Sequence, residues 1–132
     1  MKMGSTTGAV RILLRLEGLS VLLLCLLLYA KLGAGWHAFF LLFLIPDLSL
    51  IAYTAGIKFG SIAYNAAHSY CGALTCIVIG ILLPSPGALS AGIIWCAHIG
   101  FDRALGYGLK YPTNFRDTHL GTIGRRTVTA DK

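Results

Sequence analysis

The amino-acid sequence predicts an all-α integral membrane bundle of four transmembrane helices with both termini in the cytoplasm. Three observations predict it. The chain of 132 residues is 56% hydrophobic and only 12% charged, whereas a soluble domain is about half apolar and about a quarter charged. Four apolar runs follow one another, each near the roughly 20 residues that a helix needs to cross the hydrocarbon core. Lysine and arginine gather on one side of those runs, as the positive-inside rule describes for cytoplasmic loops.

The runs cover residues 12–29, 36–55, 59–83 and 88–105, and the mean hydropathy of the chain is +0.74. None alternates with period two, which disfavours a barrel. Arg11 and Arg15 precede a leucine stretch in the first run, a pattern shared with signal peptides. Glu17 interrupts its start, however, and no small-residue cleavage site follows Tyr29. Gly33-Ala34-Gly35 separates the first two runs and Gly56-Ile57-Lys58 the next two. Pro84-Ser85-Pro86-Gly87 separates the last two, because proline ends one helix and can open another. Residues 1–121 are read as one four-helix domain and residues 122–132 as a basic, disordered cytoplasmic tail, with the stretch after Tyr111 lying on the membrane surface.

Orientation follows from charge. Lys2, Arg11, Arg15, Lys58, Lys110, Arg116, Arg125, Arg126 and Lys132 fall on one side of an even number of spans, and Lys31 alone on the other. The crowded side is cytoplasmic. A net charge of +6 invites a nucleic-acid partner, but these residues flank apolar runs instead of forming a stripe with stacking aromatics. Membrane lipids are the expected partners. Cys25, Cys71, Cys76 and Cys96 all lie in apolar runs without a CxxC pair, and read as small packing residues. Ala88, Gly92, Cys96 and Gly100 recur every four residues. Such a stripe permits close helix approach, within the bundle or between the copies of a homo-oligomer.

Ionisable residues inside a membrane are costly, about 2.5–3.5 kcal/mol each at a helix centre. This chain places Glu17 in the first helix, Asp47 in the second, His68 in the third, and His98 with Asp102 in the fourth. Counted from the cytoplasmic ends at about 1.5 Å per residue, most fall in a slab roughly 5–12 Å deep. His98 and Asp102, spaced i,i+4, share a helix face. Helix bundles bind metals with inward histidines and carboxylates from several helices, and this donor set suits zinc, iron or manganese. Asp47, His68, His98 and Asp102 are therefore the candidate ligands, with Glu17 as a fifth ligand or an acid/base. Arg103 or Arg15 would hold an anionic headgroup or phosphate in a hydrolase-like enzyme. The alternative is a structural or proton-conducting polar layer, with Asp102 paired to Arg15 or to a neighbouring copy's arginine, His68 bonded to Asn65 or Tyr64, and His98 to a backbone carbonyl. A haem held between His68 and His98 is a further alternative, for which the carboxylates are poor neighbours.

The strings Arg15-Leu-Glu17-Gly, Pro46-Asp47-Leu-Ser, Tyr64-Asn65-Ala-Ala-His68, Ala97-His98-Ile-Gly-Phe-Asp102-Arg103-Ala-Leu-Gly106-Tyr107-Gly-Leu-Lys110-Tyr111-Pro and Asp117-Thr-His119-Leu-Gly carry a resemblance over nearly the whole chain. The sequence resembles the family called domain of unknown function 4260, small prokaryotic integral membrane proteins. That resemblance implies a prokaryotic cytoplasmic (inner) membrane location and no particular activity. It also implies that Glu17, Asp47, Asn65, His68, His98, Asp102, Arg103, Asp117 and His119 belong to the family pattern.

The charge asymmetry makes a topology test direct. A reporter active only in the cytoplasm is expected to work when fused at Lys132 and to fail when inserted at Ser85. Activity at Ser85 with none at Lys132 reverses the orientation, and activity at both removes a span.

Overall fold

The computed structural model describes residues 4–124. Backbone groups that cannot reach water must bond to one another, and an apolar chain achieves this as helix. Four helical rods result. The first, α1, spans Gly8–Leu32 and stops at Gly33, whose φ of 67° is a left-handed conformation that a glycine adopts without steric penalty. The second rod is composite, with α2 over Trp36–Phe43 and a 3-10 helix over Ile45–Ala55. The third is broken: α3 covers Ile57–His68, α4 covers Tyr70–Leu82, and Ser69 between them is extended at φ −92°, ψ 150°. The fourth, α5, spans Pro86–Leu105. The Ser85 hydroxyl accepts the Ala88 N–H at 3.3 Å and Pro86 occupies the first turn, so the chain opens this helix with two start signals together.

The rods Gly8–Leu32, Trp36–Ala55 and Ile57–Leu82 are each long and apolar enough to cross a membrane. The sequence predicts a fourth span over 88–105, and α5 lies outside that set. Its position explains the difference. α5 packs against α1, α4 and α2 and carries nine buried residues, the most of any helix. A helix screened by its neighbours can hold serine, histidine, aspartate and arginine. The apolar surface is displaced to the outside of the other rods, where Phe40, Leu41, Leu48, Ile51, Leu82 and Leu83 are each more than 60% exposed. Soluble monomers rarely expose an apolar belt on that scale, which suits hydrocarbon as the surrounding medium.

Small residues set the spacing of the rods. A Cβ on Gly18 would lie 2.9 Å from the Gly100 carbonyl oxygen, and one on Gly100 would lie 2.7 Å from the Gly18 oxygen, so α1 and α5 touch backbone to backbone. Gly92 meets α4 in the same way, 2.8 Å from the Ile77 nitrogen, and Cys96 is buried in the core. Gly92, Cys96 and Gly100 of the predicted small-residue stripe are thus engaged within the bundle, the first of the two uses that the sequence allows.

The two ends of the described chain meet at one end of the bundle. The Thr6 N–H donates to the His119 carbonyl at 2.8 Å, and the Tyr111 hydroxyl donates to the Gly4 carbonyl at 3.1 Å. At the opposite end Leu32, Ala34, Gly80, Pro84 and Pro86 line one cavity. The stretch after α5 does not lie along the surface as the sequence predicts. It folds back as a hairpin, β1 over Asp117–Thr118 paired antiparallel with β2 over Gly121–Thr122, and buries Lys110, Thr118 and Leu120. The polar composition hid this, because what anchors the hairpin is backbone and side-chain hydrogen bonding more than apolar area. Thr122 therefore belongs to the folded part. Of the predicted disordered tail over 122–132, residues 125–132 lie outside the described residues.

The glycine contact yields a stability test. Gly100→Val is expected to lower stability by about 1–3 kcal/mol, the range for overpacking a close contact, read as an earlier thermal transition in detergent. Gly87→Ala, where a Cβ meets nothing within 4 Å, is expected to leave the transition in place.

Candidate metal centre

Two interruptions in the helical rods meet around one point. The first is at Pro46. Proline has no N–H, so the Leu42 carbonyl loses its helical donor, and the Asp47 N–H turns to the Leu44 carbonyl at 3.1 Å in the tighter 3-10 winding. The second is at Ser69, immediately after His68. The carbonyls released there are recaptured by side chains of α5. The Trp95 indole N–H donates to the Ala67 carbonyl at 2.6 Å, and the Arg103 guanidinium (Nη2) donates to the His68 carbonyl at 3.1 Å. Trp95 and Arg103 flank His98 and Asp102 on the same helix, so α5 holds the broken rod and supplies two of the converging groups.

Asp47, His68, His98 and Asp102 each direct one donor atom to a common region, all four atoms within 4.8 Å of one another. His68 Nε2 lies 3.4 Å from Asp47 Oδ1 and 3.3 Å from Asp102 Oδ2. His98 Nε2 lies 3.4 Å from each of the same oxygens. The two imidazole nitrogens are 3.1 Å apart. A tetrahedron with metal–ligand bonds of about 2.0–2.1 Å has edges of about 3.3–3.4 Å. Four of the six separations fall on that value and the fifth is slightly short. Both imidazoles are about 1% exposed, while the Asp47 side chain is 45% exposed and that of Asp102 14%. The centre is therefore closed towards α5 and open on the Asp47 side.

The second layer of contacts fixes how the rings are presented. His68 Nδ1 lies 2.9 Å from the Tyr64 carbonyl, one turn back in α3. A carbonyl only accepts, so Nδ1 carries the proton and Nε2 turns a lone pair to the centre, the arrangement of a metal-ligating histidine. The Tyr64 ring stacks on His68 with centroids 3.8 Å apart. His98 Nδ1 is buried without a hydrogen-bond partner, and the Phe43 carbonyl faces it short of bonding geometry. That carbonyl is available because the Asp47 N–H has moved to Leu44. Two carboxylates and a lone pair aimed at one point repel one another, so the cluster calls for a cation, either protons or a metal ion.

Glu17, the predicted fifth ligand or acid/base, is not among the converging groups. It lines a cavity of about 450 Å³ with Leu14, Tyr70, Arg103 and His119, whose walls include none of the four. Arg103 is nearly buried at 9% exposure and its second nitrogen donates to the Tyr107 carbonyl at 3.4 Å. Its observed work is to hold backbone. Arg15 donates to the Ala104 carbonyl at 2.9 Å and pairs with no carboxylate among the described residues. His68 bonds to Tyr64, one of its two expected structural partners. Asn65, the other, instead grips the tail: its Oδ1 accepts the Lys110 N–H at 2.7 Å and its Nδ2 donates to the Lys110 carbonyl at 2.8 Å. Asp117 is tied to Thr113 at 2.9 Å. His119 Nδ1 accepts the Leu109 N–H at 2.8 Å, which leaves the proton of the neutral ring on Nε2.

Sequence reasoning missed Lys110. Its ammonium lies 3.2, 4.6 and 5.6 Å from the ring centroids of Phe115, Tyr64 and Tyr53, and donates to the Phe115 carbonyl at 3.2 Å. Tyr64 thus touches both the lysine and His68, which links the tail to the centre. The signal was present in the sequence as a lone lysine set between tyrosines after α5. Burial of Lys110 draws its pKa down to about 8, with Asp102 acting in the opposite sense.

A family model described as Domain of unknown function (DUF4260) matches residues 11–123. No curated protein and no solved structure matches the chain.

The Lys110 cage predicts a pH dependence. The folded pKa of about 8 lies below the ordinary 10.5, so between those values the unfolded chain binds more protons and stability rises with pH. Thermal transitions of the parent and of Lys110→Met, compared from pH 7 to about 10.5, are expected to diverge, the parent gaining on the variant as pH rises. Parallel profiles would remove the lysine from the linkage.

Proposed function

We propose that this chain, which belongs to the Domain of unknown function 4260 family, is a metal-dependent, hydrolase-like enzyme of the prokaryotic cytoplasmic membrane. Asp47, His68, His98 and Asp102 are its ligands. One observation carries the reading: two imidazole nitrogens and two carboxylate oxygens from three separate rods stand at the edge lengths of a tetrahedral zinc, iron or manganese site. The same separations argue against haem. Axial nitrogens on one iron need about 4 Å between them, twice a bond of about 2 Å, and a macrocycle in the gap, whereas these stand at 3.1 Å.

The bundle is proposed to span four times with N- and C-termini in the cytoplasm. The pairing of residues 4–6 with the stretch 111–119 and the lysine and arginine asymmetry support that orientation, which puts the centre in the cytoplasmic half. A divalent ion at the centre supplies Lewis-acid polarisation of a substrate oxygen and acidifies water. The residues do the rest. Asp47, on the open side, sits where substrate approaches. An apolar groove of about 240 Å³ lined by Leu42, Ile45, Pro46, Ser49, Ala67 and Trp95, among others, begins beside it in sequence and offers room for a hydrocarbon portion. Arg103 positions His68 through its carbonyl.

A structural or proton-conducting layer remains as a second reading because of one distance. At 3.1 Å the two histidine nitrogens are also within hydrogen-bond range when one of them is protonated. Metal content separates the readings. Protein purified in mild detergent without chelator is expected to carry close to one equivalent of transition metal. His68→Ala and His98→Ala are each expected to lose most of it. Arg103→Gln, which leaves every ligand in place, is expected to weaken metal binding about tenfold or more, as loss of an outer-shell partner does. Asp102→Asn is expected to fold as the parent does and to be metal-poor. Well-folded protein without metal, also after reconstitution with zinc, iron and manganese, overturns the metal reading. Asp102→Asn that melts early yet keeps its metal in the folded fraction favours the structural one.

A further inference from the structure

A second site, independent of the His/Asp centre, stands at the end of the bundle where residues 4–6 meet the returning tail. Arg11 and Arg15 are spaced i,i+4 on α1 and so share a face. Both guanidinium groups approach Gly106. A Cβ there would lie 3.7 Å from Arg15 Nε and 3.8 Å from Arg11 Nη2, so the two nitrogens stand no more than 7.5 Å apart. Arg11 also stacks against Gly121, its Nη1 3.2 Å from the Cβ position of that residue. Two cations are thus held together by the tail, and no carboxylate lies within 4 Å of either among the described residues.

Their hydrogen bonding is unfinished. Arg15 Nε donates to the Ala104 carbonyl at 2.9 Å, and the negative end of α5 accounts for its position. Among the described residues nothing comparable accounts for Arg11, whose Nε is buried without a hydrogen-bond partner there. A guanidinium has five N–H donors, and a buried donor left without a partner costs about 1–3 kcal/mol. The pair of arginines therefore presents donors and positive charge to a ligand that is anionic and rich in acceptors. A phosphate that accepts from both spans up to about 8 Å between donor nitrogens, given oxygens about 2.5 Å apart and bonds of about 2.8 Å. Arg15 Nε is already held by Ala104, so the Nη nitrogens of the two residues are the donors such a phosphate would bridge.

What lies below the arginines selects the source of the phosphate. Ile12, Leu16 and Leu19, with Arg15 and Ala104, line a groove of about 200 Å³ between α1 and α5. Its leucines and isoleucine are exposed on the apolar belt, and Arg15 stands at its head. Charge above and hydrocarbon below is the complement of an anionic amphiphile. We propose that Arg11 and Arg15 form a binding site for an anionic phospholipid, its phosphate bridging the two guanidinium groups and an acyl chain lying along Ile12, Leu16 and Leu19. The lipid secures the junction between α1, the end of α5 and the returning tail.

Native mass spectrometry of the full chain tests this, with dioleoyl-phosphatidylglycerol and dioleoyl-phosphatidylcholine as equal-length probes and inorganic phosphate as competitor. Phosphatidylglycerol is expected to be retained at least about tenfold more strongly than phosphatidylcholine, the order of one charge-assisted contact. The double variant Arg11→Gln, Arg15→Gln is expected to abolish that preference, and Lys31→Gln, at the opposite end, to preserve it. Leu19→Trp, which fills the groove and keeps both arginines, is expected to weaken phosphatidylglycerol retention. This second variant decides the question if the double variant does not fold. Equal retention of the two lipids overturns the proposal, as does undiminished preference in the double variant. Displacement of the lipid by millimolar inorganic phosphate, or full retention in Leu19→Trp, overturns the lipid assignment and marks a site for free phosphate.

Discussion

The bond from Arg103 to the His68 carbonyl is the point on which the centre depends. A helix that breaks strands its last carbonyls unless other donors reach them. The chain breaks at Ser69 nonetheless, and α5 answers with a guanidinium and an indole. The break ends α3 at His68, and Arg103 then fixes the carbonyl left there. Because Asp102 is the next residue, the helix that captures the carbonyl also sends a carboxylate to the ring of the same histidine. Ligand and brace are adjacent in sequence and serve one geometry.

The same economy appears at the other interruption. Pro46 removes a donor, the Asp47 N–H shifts to Leu44, and the Phe43 carbonyl is left facing His98. Each histidine thus has its Nδ1 turned to a backbone carbonyl and its Nε2 turned to the centre. For His68 the bond is made by regular helix geometry, while for His98 the acceptor stands short of bonding distance. The difference places the looser ring next to the composite rod, on the side where Asp47 is exposed. Tyr64 and Lys110 stiffen the opposite side, so the centre has one firm wall and one yielding wall.

Much of this was legible in the sequence. The helical rods could be read from apolar length and from glycine and proline, and the four converging groups from their shared depth. Depth is one coordinate, however, and the direction around each helix axis is the other. Glu17 sits at a depth like that of the others but opens into a different cavity, because Gly18 beside it faces α5 and turns the carboxylate elsewhere. The i,i+4 pair of His98 and Asp102 escaped this ambiguity since a single helix fixes their relative direction. The break at Ser69 left no sequence sign, serine being an ordinary helix residue. Nor did the tail: the Asn65 side-chain amide meets the Lys110 backbone across forty-five positions, a pairing that composition does not encode. The screening of α5 was likewise invisible. Its lower hydropathy reads as a weaker span from sequence and as a central position from structure.

The long 3-10 segment gives the open wall a particular mechanical character. A 3-10 helix advances about 2.0 Å and 120° per residue, against about 1.5 Å and 100° in an α-helix. Eleven residues, Ile45–Ala55, are wound this way and make up the larger part of the second rod. Relaxing the winding between Leu44 and Asp47 alone would swing the carboxylate by about 60° around the rod and draw it back by about 1.5 Å. Asp47 would then leave the two imidazoles while His68, His98 and Asp102 stayed in register on their braced helices. Of the four converging groups, this carboxylate is the one whose placement would follow the pitch of a 3-10 segment.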